Sequence, residues 1–429
     1  MQERVDVRRF LTLALLGALL AVAACGDEGE DAGAQSARLS DAEPLPVGEP
    51  LTMTSDIAGL PLGLPTRCIN GACAGDMTLI QNSSSFELVT TRFKTAVVTV
   101  PVLDERETLF SNPDSVRDNP APFQARKRLD DLFDEVDEVL AAKGAEQWDN
   151  YVLVFDLFRV SGNWLVRWDG VKINEIDEPG QYGLWRSDMR QEVSDLIFAA
   201  LDAVTQDRNI THVVIGDEME RLLLSTRNFP NNPEEFANFV TFYRELRGQI
   251  KADFPDIQVS AGINWDRLVT EVAARYTAGG SIEEVKFAEI RRAWQEVAEP
   301  LYEEADFLAL SSEPDPSLYG GDPDGLPESQ YALLAEVQGA RPVIWTAINW
   351  PINSTAEKST QGDYLERFLA LNAGNDVELI SWKIMVDLPE QGDCALVKGL
   401  QGRVQDCFAG FFSNSLAPTD VSDLFIPAE

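Results

Sequence analysis

Seven apolar, β-branched runs recur along the chain, each followed by an amphipathic stretch, and this alternation limits the possible folds more than any other feature. The runs cover residues 95–100, 151–158, 212–216, 258–263, 307–311, 342–346 and 377–382. Helical periodicity fills the intervals at 121–143, 186–206, 234–253, 281–304, 328–338 and 362–373. Strand then helix, repeated this often, predicts a parallel sheet with helices outside it, and parallel strands buried on both faces read as continuous apolar runs. An eighth strand near the N-terminus, within 51–58 or 86–91, would close the sheet into a barrel. An open doubly wound sheet fits less well, because no glycine-rich phosphate loop follows an early strand. The expected fold is therefore α/β, a (β/α)8 TIM barrel with long loops, over residues 51–429.

The first 50 residues read differently. Arg4, Arg8 and Arg9 precede an apolar stretch from Phe10 to Ala24, too short for a stable bilayer-spanning helix and suited to an export signal. The stretch ends in Val22-Ala23-Ala24-Cys25, which resembles the lipobox of bacterial lipoproteins, where small residues admit the peptidase and the cysteine thiol takes a diacylglycerol. The resemblance implies a signal peptide over 1–24 and a lipidated acidic tether over 25–50 that carries Asp27, Glu28, Glu30 and Asp31. Acyl chains contribute about 0.8 kcal/mol per buried methylene, so membrane attachment is independent of folding. The expected location is the bacterial cell envelope, and Gly26 after the cysteine favours the outer membrane if the cell is Gram-negative.

With Cys25 given to lipid, four of the five cysteines remain, in two local pairs, Cys68/Cys73 and Cys394/Cys407. Two disulfides are expected in an oxidising compartment. A zinc site is the alternative, but the pairs lie at opposite ends of the chain, lack a CxxC and are joined by a single histidine. That histidine, His212, lies near the start of an apolar run and reads as a packed or rim residue. Triad and multi-histidine metal chemistry are thereby disfavoured, and catalysis would rest on carboxylates. No metal or cofactor is expected. The formal charge of −36 repels nucleic acid and anionic headgroups and fits a neutral or cationic ligand or simple solubility. Oligomeric state is not legible.

Sites in such barrels gather at the C-terminal ends of the strands. The residues there are Asp156, Asp217 with Glu218, Asn264 with Trp265, Glu313 with Asp315, Asn349 with Trp350, and Trp382. Carboxylates can move protons or attack a glycosidic centre, and indole faces stack on pyranose rings. The 156–185 segment, with Trp164, Trp168 and Trp185, is long for a connection and suits a cleft wall.

Over residues 90–390 these strand ends resemble the (β/α)8 glycoside hydrolases that carry an Asn-Glu pair after strand four and a nucleophilic Glu after strand seven, loosely the endo-β-1,4-galactanase branch. In Val213-Val-Ile-Gly-Asp-Glu218, Glu218 matches the general acid/base and Asp217 stands where the family has the Asn that holds a sugar 2-hydroxyl. An ionised Asp accepts but cannot donate, and beside Glu218 it could raise that residue's pKa. In the run 341–351, Ala347 occupies the nucleophile's position, and a methyl group cannot attack an anomeric carbon. Glu313 stands where the family carries an aromatic residue before proline. It could act as base with Glu218 as acid, at the wider carboxyl spacing of an inverting site, or be a loop acid. Trp382 matches the strand-eight aromatic that floors a sugar subsite, and Trp350, Trp265, Asn264 and Asn349 are further candidate sugar contacts. The resemblance implies a surface lipoprotein that binds a polysaccharide or oligosaccharide and, if catalysis survives Ala347, hydrolyses it. The alternatives are a catalytically inactive carbohydrate-binding pseudo-glycosidase and a structural surface lipoprotein without a sugar ligand.

Overall fold

A computed structural model describes residues 50–63, 92–101, 147–157, 184–224, 233–352 and 357–386, with short pieces at 68–69, 72–73 and 410–412, Phe425, and scattered positions between 133 and 144. The expected signal, residues 25–49 of the expected tether with Cys25, and Cys394, Cys407, Trp164 and Trp168 lie outside the described residues.

The core is a ring of parallel strands: β1 (Ala58–Gly63), β2 (Thr95–Pro101), β3 (Asn150–Asp156), β4 (Ile210–Ile215), β5 in two segments (Gln258–Ser260 and Gly262–Asn264), β6 (Leu308–Ser312), β7 (Val343–Ile348) and β8 (Val377–Trp382). β1 joins β2 and β8, with Gly59 opposite Thr95 on one side and Ser381 on the other. β5 completes the ring by changing partner at Ala261. Its first segment pairs Ser260 with Val214 of β4, and its second pairs Gly262 with Ala309 of β6. Nine segments thus occupy eight strand positions, and the expected α/β (β/α)8 barrel is what the chain forms.

Side-chain alternation separates the two faces of each strand. Val97, Val152, Val154, Val214, Ala309, Ile344 and Leu379 meet inside the barrel with Phe307. Their neighbours, among them Val98, Leu153, Val213, Leu310, Trp345 and Ile380, face outward and join the helices in a second, larger cluster. The helices include α1 (Ser187–Val204), α2 (Pro233–Asp253), α3 (Phe287–Ala293), α4 (Ala332–Val337) and α5 (Lys358–Leu371).

Two elements depart from expectation. The strand that closes the barrel begins at Ala58, where the 51–58 window ends, and its Ala-Gly-Leu-Pro-Leu-Gly sequence carries the composition of a turn. It is tolerated because β1 pairs with β8 only through Ala58 and Gly59. Pro61, which has no N–H to give a ladder, comes after that contact has ended. The helix expected over 281–304 is divided: a 3-10 turn (Ile282–Glu284), α3, a π-turn (Trp294–Ala298) and a final α-helical turn (Glu299–Tyr302). Pro300 sits just beyond the π-turn, and the widened turn accommodates the hydrogen bond that proline cannot make. A small antiparallel ladder sets Cys68 opposite Cys73.

Candidate active site

The chain leaves β4 through an unusual backbone. Gly216 is left-handed (φ 77), and two residues on Glu218 is left-handed as well (φ 52, ψ 44), the only non-glycine with positive φ among the described residues. Such a conformation strains an L-residue, and strain of this kind gathers at functional sites. A 3-10 turn, Met219–Leu223, follows directly and packs Met219, Leu222 and Leu223 into the core, which fixes the turn. Glu218 is mostly shielded, and its Oε1 accepts from Asn264 Nδ2 at 3.1 Å. Arg267 donates to both of its oxygens, at 3.1 and 3.3 Å, and Arg221 approaches Oε2 at 3.5 Å.

Two residues further, Glu220 has no solvent exposure. It accepts from Arg267 Nη1 at 2.7 Å and from the Asn264 backbone N–H at 3.0 Å. Burial pushes its carboxyl up to about 7 against the opposing pull of Arg267, with Glu218 adding to the rise. Asp217 lies across β5. A Cβ built at Gly262 would come within 2.9 Å of Asp217 Oδ1 and of Gly216 O, so only glycine leaves that carboxyl its place. Its Oδ1 is sealed from solvent with no hydrogen-bond partner among the described residues. Burial, then the negative charges of Glu218, Asp156 and Glu220, hold Asp217 well above the usual carboxylate range.

The end of β5 carries the residues that join the site. Asn264 caps the short turn Trp265–Arg267 by accepting from Arg267 N at 3.0 Å. A π-turn, Leu268–Val272, continues from it. Arg267 reaches toward Glu218 and Glu220, while Asp266 reaches the other way. Asp266 accepts from Ser312 Oγ (2.7 Å), Gln330 Nε2 (2.9 Å) and the Glu313 backbone N–H (2.7 Å). Burial raises its carboxyl to about 6 despite those bonds. Ser312 Oγ also lies 2.8 Å from the hydroxyls of Tyr331 and Tyr364, so the start of the β6 loop is held from three sides.

Glu313 is the second acid centre. Its side chain is 5% exposed, and Oε1 accepts from Asn349 Nδ2 at 3.2 Å and from Lys383 Nζ, the residue after β8. Asn349 is fully buried, with its own Oδ1 accepting from Gln361 Nε2 at 3.0 Å. Ala347 lies opposite Ser311 in the β6–β7 ladder, where the register slips after Trp345. Asp315, by contrast, caps the turn Pro316–Tyr319 and bonds Ser317, the role of a loop acid. A cavity of about 490 Å³ opens beside these groups, lined by Asp266, Arg267, Thr270, Glu313 and Tyr319 among others.

The structure joins Glu218 and Asn264 in one network, with Asp217 beside it, and Glu313 and Asn349 in another, the two linked through 264–267. It does not bring the tryptophans with them. Trp265 is fully buried, donates to Gln330 O at 2.9 Å and packs against Trp294 and Tyr331. Trp350 lies between Tyr319 and Tyr364, and Trp382, on the outward face of β8, lies between Tyr364 and Phe425. Their expected stacking on a sugar is corrected by burial at 0–1% exposure, which leaves no ring face open. Among the described residues, Trp185 alone is an exposed large apolar side chain, at 54%. His212 packs edge-on to Phe307 with Nε2 3.3 Å from Glu378, a packed residue distant from the strand ends. Glu220, Asp266, Arg267 and Lys383 were not legible as site residues. Their only sequence signal is charge placed one to five residues beyond a strand end. Among the described residues no group of three or more His, Cys, Asp or Glu is arranged to hold a metal ion.

No family model matches the chain, and no curated protein matches it. Solved structures do. An exo-β-1,4-mannosidase from Opitutaceae bacterium strain TAV5 is 13% identical with a TM-score of 0.52, over 90% of this chain and 61% of the mannosidase, so this chain spans under two thirds of that enzyme's length. A GH5_18 protein from Streptomyces cattleya, solved with Manβ1-4GlcNAc, is 11% identical with a TM-score of 0.55, over 85% of this chain and 78% of its own. SrfJ from Salmonella typhimurium is 12% identical with a TM-score of 0.51, over 89% and 78%. At these identities the likeness is one of fold, a glycoside hydrolase-like barrel.

Proposed function

We propose that this chain is a carbohydrate-binding protein built on a glycoside hydrolase-like barrel and held at the bacterial envelope by lipid on Cys25. The observation that carries this reading is the state of the two acid centres. Glu218 is clamped by Arg267 and Asn264, and Glu313 is ion-paired with Lys383 while Ala347 supplies no nucleophile. Acids neutralised in this way serve poorly as proton donor and attacking group. They hold amides and hydroxyl-bonding groups in fixed positions, which is what sugar recognition needs. Glycosidase-fold neighbours solved with Manβ1-4GlcNAc and GlcNAc support a β-linked oligosaccharide as the ligand class.

The strained backbone at Glu218 favours a second reading, hydrolysis with Glu218 as acid and Glu313 as base. Titration of the protein against mannan, galactan and Manβ1-4GlcNAc, with reducing ends measured in parallel, separates the two. Binding without reducing ends is expected. Reducing ends lost in both Glu218→Gln and Glu313→Gln would establish hydrolysis, and neither binding nor release would leave a structural surface lipoprotein. Cys68/Cys73 and Cys394/Cys407 are proposed as disulfides, and intact mass after alkylation with and without reduction counts them.

A further inference from the structure

Resting on the carbohydrate-binding reading, we infer that the cavity beside Glu313 is a subsite for a sugar that carries a free amino group. The cavity lies beyond the ends of β5, β6 and β7, and neither Asp217 nor Glu218 lines it. Its volume, about 490 Å³, falls within the roughly 300–1,000 Å³ of small-ligand pockets. Part of the lining is apolar: Pro314, Pro316, Pro351 and Leu318 supply C–H surface of the kind that packs on the face of a pyranose ring. Volume and apolar lining fit a ligand of sugar size, and the charges say which sugar.

Those charges are unbalanced. Four acids line the cavity, Asp266, Glu271, Glu313 and Asp315, against one base, Arg267. That base is already engaged: Nη1 donates to Glu218 at 3.1 Å and to Glu220 at 2.7 Å, and Nη2 donates to Glu218 at 3.3 Å. Asp266 is held by Ser312, Gln330 and the Glu313 N–H, and Glu313 by Asn349 and Lys383. Glu271 and Asp315 differ. Both are exposed, Asp315 Oδ1 accepts from Ser317 within its own turn, and neither acid is ion-paired among the described residues. A ligand that enters the cavity takes these two carboxylates out of water. A neutral sugar leaves that cost uncompensated, and a uronic or sulfated sugar adds repulsion. An ammonium group returns a charge-assisted hydrogen bond to each carboxylate that it reaches, and acetylation abolishes this by replacing the cation with a neutral amide. The acidity of the chain as a whole does not select in this way, because at about 0.15 M salt charges more than about 8 Å apart are largely screened.

Calorimetric titration at about 0.15 M salt, in mild acid where the amines are charged, compares the β-1,4-linked glucosamine tetrasaccharide with its fully N-acetylated counterpart. The parent is expected to bind the amino form tighter by about tenfold. The Glu271→Gln/Asp315→Asn variant, whose amides keep the size of both side chains and the acceptor that caps the Pro316–Tyr319 turn, is expected to lose that preference. Asp202→Asn, at an exposed acid of α1 outside the cavity, is expected to keep it. Equal affinity for the two sugars in the parent would overturn the proposal. So would a preference that survives in the double variant, since attraction by the general acidity of the chain would then explain it. A β-mannan titrated in parallel separates this proposal from the reading it rests on: mannan bound without the glucosamine tetrasaccharide removes the amino-sugar subsite and keeps the carbohydrate reading, and no saturable binding of any of the three removes both.

Discussion

Glu218 and Arg267 show how few contacts hold this site. Among the described residues Arg267 is the cation that bonds both Glu218 and Glu220, and Glu220 has no exposure to water. Removing one partner of such a buried pair leaves a charge without compensation, at a cost of about 3 kcal/mol or more. Arg267→Met is therefore expected to lower the urea midpoint sharply at alkaline pH. The loss should shrink as pH falls and Glu220, no longer held down by Arg267, takes up its proton. The double variant Glu220→Leu/Arg267→Met should recover much of the loss, and an additive double variant would show that the two residues act independently. The sequence disclosed Asp217, Glu218 and Asn264 because strand ends in a barrel are places where sites form. It did not disclose Arg267, Glu220 or Lys383, because their roles depend on which side chains from neighbouring strands converge.

At the scale of elements, the same alternation that made the strands legible decides which tryptophans can meet a ligand. β8 places Leu379 inside the barrel and Ile380 outside, so Trp382 also points outward, into the aromatic layer against α5. Trp382→Ala should cost about 3–5 kcal/mol through the lost ring and the cavity left behind, read as a lower thermal midpoint, with oligosaccharide affinity of the folded fraction unchanged. A folded variant with unaltered stability and lost binding would restore it to the site. Register to this precision was out of reach of the sequence, since it cannot say on which face of a continuously apolar strand a residue falls. β5 was legible as a strand but not as the split closure it forms. Gly262→Ala tests that closure: the added methyl meets backbone oxygen at Gly216 and the Asp217 carboxyl, and should cost about 1–3 kcal/mol. β1 was missed because its glycines and proline signal a turn, whereas its place is set by the strands on either side.

For the whole molecule, buried carboxyls set the response to pH. Glu220 and Asp266 titrate at about 7 and about 6 in the folded chain, above their unfolded values. Between the unfolded and folded values the native state binds more protons than the unfolded state, so stability falls as pH rises through roughly 4 to 7. Thermal midpoints should be highest in mild acid and decline toward pH 7, and Glu220→Gln should flatten the decline. Beyond the barrel, Cys25→Ser is expected to move the chain from the membrane to the soluble fraction while leaving its thermal midpoint unchanged. The barrel mouth is proposed to bind a carbohydrate without cleaving it. The most direct test is titration of the protein and of Glu218→Gln with Manβ1-4GlcNAc and a β-mannan, with reducing ends assayed in the same samples. Saturable binding of similar affinity in both proteins, with no reducing ends formed, is the predicted result; release of reducing ends by the parent that Glu218→Gln abolishes would contradict it.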